Sequence, residues 1–96
     1  MKPSEALAAH RDELRQIVAR HGVVRPRVFG SVVHGDDTDE SDLDLLVDAT
    51  NTTTLLTLAA VQIDAERLLG VPVDVRTAND ISKRFRDEVL SEAVAV

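Results

Sequence analysis

Phe29-Gly30-Ser31, then, ten residues on, Asp42-Leu43-Asp44-Leu45-Leu46-Val47: the fold is read from these two stretches and the spacing between them. The second alternates as a strand does, so a side-chain period of two puts Asp42 and Asp44 on one face and Leu43, Leu45 and Val47 on the other. A further strand-like run, Val71 to Arg76, sets Val71, Val73 and Val75 on one side and Asp74 on the opposite one. If the two strands are neighbours, three carboxylates meet on one face. Acids so close repel one another and resist ionising unless a divalent cation neutralises them. An all-oxygen donor set suits Mg²⁺ or Mn²⁺ rather than zinc, and few protein ligands per ion leave room for water and substrate phosphates.

The first stretch supplies the place for those phosphates. Arg27-Val28-Phe29 reads as a short strand ending on Gly30-Ser31, and Val32-Val33-His34-Gly35 can begin a helical turn whose free N–H groups face an anion. Gly30 allows close approach to the backbone, and Ser31 adds a hydroxyl donor. Each element is ordinary by itself: Asp-x-Asp is usually the wet face of a strand, and Gly-Ser a turn. In combination they describe a triphosphate site with two metal ions, suited to in-line attack on a phosphoryl group.

Phe29-Gly30-Ser31 through Asp42-Leu43-Asp44-Leu45-Leu46-Val47 resembles the signature of the DNA polymerase β nucleotidyltransferase superfamily. The small size, the third acid at Asp74 and the ending Phe85-Arg86-Asp87-Glu88-Val89-Leu90-Ser91-Glu92-Ala93 resemble its minimal branch, the MNT proteins that act as antitoxins beside HEPN-domain toxins. The resemblance covers nearly the whole chain; its Gly-Ser and Asp-x-Asp spacing is specific, its ending a weak pattern. It implies an α/β (α+β) fold, a small mixed sheet with helices packed on one face, and transfer of AMP from ATP to a hydroxyl, that of a tyrosine, on a cognate HEPN toxin. By that resemblance Asp42 and Asp44 hold two Mg²⁺ ions, Asp74 holds one ion and the incoming hydroxyl, and Gly30 with Ser31 takes the β and γ phosphates. Two departures stand out: family members often carry arginines just after Gly-Ser, where this chain has Val32, Val33 and His34, and the stretch Asp36-Asp37-Thr38-Asp39-Glu40 is unusually acidic. The missing arginines favour an alternative, an antitoxin that masks its toxin by contact alone.

Composition narrows the field. Ninety-six residues make one domain, 1–96, with a single core but no second lobe to grip a large acceptor, so a partner is expected to bring it. The same shortness disfavours a small-molecule transferase. A formal net charge of −6 speaks against direct DNA or RNA binding, which needs a basic surface, and two phenylalanines offer no stacking platform. Without cysteines there are no disulfides or thiolate metal sites, and residues 1–14 lack the apolar core of a signal peptide, so the cytoplasm is the expected compartment. The apolar run Leu55 to Val61 is too short to span a bilayer.

Helical spacing of Leu7, Leu14, Ile17 and Val18 predicts a first helix over Ser4 to His21, with Gly22 as its left-handed stop. Gly35 to Ser41 reads as a polar loop. Thr52 or Thr53 caps a second long helix with Leu55, Leu58, Val61, Ala65, Leu68 and Leu69 on its apolar face, and Gly70 ends it. Pro72 places the third strand at an edge. Asn79 or Asp80 caps a last helix with Ile81, Phe85 and Val89 inward. The expected buried sheet face is Val28, Phe29, Leu43, Leu45, Val47, Val73 and Val75, with Leu14, Ile17, Leu58, Val61, Phe85 and Val89 upon it, in the order α-β-β-α-β-α with an extra turn after Ser31. His10 and His21 read as surface groups and the acidic loop as a solvated turn. His34 is placed to donate to a triphosphate oxygen, Lys83, Arg84 and Arg86 form the wet side of the last helix or a docking rim, and Arg76 shares a face with Asp74.

Overall fold

Two long helices owe their limits to local chemistry. The Thr54 hydroxyl accepts the Thr57 N–H (3.3 Å) and starts α3 (Leu55–Leu69), which Gly70 closes at φ +70°, a conformation costly for any residue with a Cβ. Helix α1 (Pro3–Arg20) begins on a proline in its first turn, where a missing N–H costs nothing. A computed structural model describes residues 1–96, and between these helices it places β1 (Val24–Phe29), the single turn α2 (Ser31–His34) and β2 (Leu43–Asp48). After α3 come β3 (Val73–Arg76), a 3-10 turn (Ala78–Asp80), α4 (Lys83–Glu92) and β4 (Val94–Ala95).

The sheet is mixed, in the order β3-β2-β1-β4, with β2 antiparallel to β1 and parallel to β3. Ala6, Leu7, Leu14 and Val18 of α1 and Val61, Ala65 and Leu69 of α3 pack with Val28, Leu43, Leu45, Val47 and Val73 as one core. Leu58 and Val75 join it partly buried, and Ile17 is buried as well. The opposite face is also closed at one point. Leu46 shares the parity of Asp42 and Asp44 yet is fully buried outside the main core, as Ile81 is, and the 3-10 turn packs on β2 there.

Several expectations change. Thr54, not Thr52 or Thr53, caps α3, and α4 starts after Ser82, because Asn79 and Asp80 are taken up in the 3-10 turn. Phe29 alternates with Val28, so it lies on the acid-bearing side and is only half-buried. Phe85 does not point inward: it is 50% exposed under the Arg84 guanidinium, 5.4 Å from the ring centroid, and no residue of α4 is fully buried. Arg86 is spent within the fold, donating to the Ala78 and Ile81 carbonyls (2.8 and 3.1 Å). A fourth strand exists, β4, paired on β1 through Val28–Val94 and Arg27–Ala95; two residues are too few to show a period.

The acidic loop is not uniformly wet. Asp37 is buried, and its carboxylate accepts the Ser4 N–H (2.9 Å), supplying from the loop the cap that α1 lacks locally. That backbone hydrogen bond holds the Asp37 carboxyl below its ordinary range. A depressed folded-state pKa stabilises the fold above the unfolded pKa and loses that effect as pH falls through the folded value. Asp37→Ala is therefore expected to cost about 1 kcal/mol at pH 7 in urea denaturation, with the deficit closing as pH drops below the ordinary carboxylate range.

Candidate active site

Because β2 is central, its Asp44 has a neighbour on either side. Phe29 of β1 is its register partner on one side and Asp74 of β3 on the other, so the two carboxylates leave adjacent parallel strands at the same level. On the β1 side the chain turns at Gly30, φ +74°, and a Cβ built there would lie 2.3 Å from the Asp44 Oδ2. Glycine is needed here for conformation and for space alike: Asp44 occupies the volume a side chain would fill. Asp42 stands exposed just before β2.

Electrostatics follow from this packing. Burial pushes the Asp44 carboxyl above its ordinary range, the Asp74 and Asp42 charges push it further, and Arg76 is the cation opposing them. Arg76 Nε donates to Asp74 Oδ2 at 2.9 Å. No three His, Cys, Asp or Glu side chains close around one point. The donors therefore fit a hard divalent cation held by one or two carboxylates and completed by water and phosphate oxygens, not one enclosed by protein alone.

Ser31 opens α2 directly after Gly30. The Val33 and His34 N–H groups return to the Gly30 carbonyl, both at 3.1 Å, whereas those of Ser31 and Val32 come too early in the turn to have a partner within it. Val32 and Val33 pack against the core, which accounts for apolar residues at positions where a cation was expected. His34 bonds to Glu92 at the end of α4 (2.8 Å), and that hydrogen bond raises its pKa. The Glu92 contact was invisible in sequence, since 58 residues separate the partners. His21 pairs with Asp64 (2.7 Å) and His10 with Glu13 (3.0 Å), away from the acids. The largest cavity, about 570 Å³, lies between α1 and the β1–β4 edge and is lined by none of the three acids. The open polar face of the sheet, not a cavity, carries this site.

Residues 8–96 match the family model described as a nucleotidyltransferase domain. The chain belongs to this family. A nucleotidyltransferase relative from Thermococcus cleftensis, the protein adenylyltransferase MntA, is 38% identical over 90 residues, covering 94% of this chain and 88% of its own. A solved structure of a candidate minimal nucleotidyltransferase superposes with a TM-score of 0.86 at 44% identity, over 97% of this chain and 95% of the other. The antitoxin-bearing crystal structure of a toxin–antitoxin with AMP-PNP shares the nucleotidyltransferase fold at a TM-score of 0.74, 17% identity, over 88% of this chain and 69% of that one.

Two substitutions test the packing of this nucleotidyltransferase site. Gly30→Ala is expected to destabilise the fold by roughly 1 to 3 kcal/mol, the cost of a strained backbone plus displacement of Asp44. Asp44→Asn is expected to raise the melting temperature of the metal-free protein at pH 7, because it removes a charge that burial and two neighbours oppose. An acid with a raised folded-state pKa costs stability only above its unfolded pKa, so the gain should vanish near pH 3 in a thermal melt followed by circular dichroism.

Proposed function

We propose that this nucleotidyltransferase transfers AMP from ATP to a hydroxyl, that of a tyrosine, on a cognate HEPN-domain toxin and so neutralises it in the cytoplasm. The observation that carries the reading is the placement of Asp44 between the Gly30 turn and Asp74. The Thermococcus relative's name and the toxin–antitoxin structure holding AMP-PNP support the same direction.

In this reading Gly30 and Ser31 seat the β and γ phosphates on backbone N–H groups and the serine hydroxyl. Asp42 and Asp44 would hold the two Mg²⁺ ions, with Asp74 contributing a carboxylate to one of them. Bound there, such ions would supply the positive charge that offsets the triphosphate and the attacking and leaving oxygens. Asp74 orients the acceptor hydroxyl and takes its proton as the oxygen bonds to the α-phosphorus and the bond to pyrophosphate breaks. The partner supplies the wall that an open sheet face lacks. Apolar side chains left exposed on α3 (Leu55, Leu56, Ile63) and α4 (Phe85, Leu90) are the docking surface, and the chain's net charge of −6 favours a basic partner surface and salt-sensitive association.

One observation favours a second reading, an antitoxin that acts by masking alone: the phosphate turn holds no free cation, with Val32 and Val33 turned to the core and His34 paired to Glu92. Co-expression with the toxin encoded beside it separates the two. Intact mass spectrometry of the toxin should show Mg²⁺-dependent addition of AMP units that Asp42→Ala abolishes while the complex still forms. An unmodified toxin that is still neutralised by Asp42→Ala would establish masking instead.

A further inference from the structure

Of the three site acids, Asp42, Asp44 and Asp74, only Asp74 has a basic partner, Arg76 at 2.9 Å. Arg76 follows Asp74 by two residues on the edge strand, and its register partner on β2 is Leu46, two residues beyond Asp44. It is thus on the same face as Asp44 and Asp74. Its side chain is 45% exposed and that of Asp74 is 40% exposed, so the pair is wet and weak, readily exchanged for stronger partners. A planar guanidinium released beside a triphosphate has one obvious acceptor, a phosphate oxygen. The turn that should seat those phosphates has no cation of its own.

We propose that Arg76 is an exchangeable counter-ion: it neutralises Asp74 while the site is empty, and when a divalent cation takes the Asp74 carboxylate it turns to bind the triphosphate. This inference rests on the nucleotide reading above and adds to it a residue that senses whether Asp74 is occupied. The order of events is then built into the site. Nucleotide arriving without metal meets a guanidinium already engaged, and nucleotide arriving with metal meets a free one. An arginine that merely softened the field of the acids would help phosphate binding equally in both cases.

That difference is the test. ATP affinity is measured by isothermal titration calorimetry for the wild type and Arg76→Ala, with Mg²⁺ and with chelator. Arg76→Ala should weaken binding roughly tenfold with Mg²⁺, the size of a charge-assisted hydrogen bond to phosphate, and less than about twofold without it. Asp74→Ala, at an exposed position on an edge strand, should release the guanidinium without metal; in that background Arg76→Ala should cost roughly tenfold even with chelator present. Equal losses under all conditions, or no loss in any, would overturn the exchange. Failure of the wild type to bind ATP at all, with or without Mg²⁺, would instead remove the nucleotide reading itself, and circular dichroism melts of each variant separate either result from unfolding.

Discussion

Everything at the site depends on one constraint: a half-buried carboxylate on a central strand, lodged where the neighbouring chain has no side chain. Asp44 fills the space beside Gly30, and that contact ties the end of β1, the start of α2 and the middle of the sheet into one unit. Parallel pairing of β2 with β3 then places Asp74 at the same level as Asp44. The resulting repulsion is tolerated because most of the hydrophobic stabilisation lies on the other face, where α1 and α3 bury the aliphatic side of the same strands. A sheet with a dry side and an acidic side is the economical way to hold like charges together on rigid backbone.

The turn after Gly30 is shaped by the core as much as by any ligand. Val32 and Val33 anchor α2 on the apolar side, which fixes where the first N–H groups of the turn lie. Charge near the site comes instead from distant segments. Arg76 reaches Asp74 from the edge strand, and His34 is answered by Glu92 at the far end of the chain. Helix α4, which buries none of its residues fully, is attached by the Arg86 clamp on the 3-10 turn and by this histidine contact.

How far the sequence could be read follows from the range of the forces involved. Period-two alternation in residues 42–47 and 71–76, the helical spacing of Leu7, Leu14 and Val18, and the glycines at 22 and 70 are local signals, and each element appears where they put it. Phe85 misled because an aromatic at helical spacing normally marks a core face, whereas here the helix lacks a packing partner and the ring lies beneath Arg84. Asp37 misled in the opposite sense: in a run of acids nothing distinguishes the one that reaches the first turn of α1.

By itself the sequence determined which face of each strand is apolar, where the chain must turn, and that Asp42, Asp44 and Asp74 lie on the polar side, because these depend on residue type and spacing along a few neighbours. Only the tertiary structure decided that β2 lies between β1 and β3, that Asp44 meets Asp74 in register, that the Asp44 carboxylate fills the space beside Gly30, and that β4 closes the other edge. Strand order and register come from packing α1 and α3 over a shared apolar surface. That energy is summed over residues far apart in the chain, so no local pattern records it.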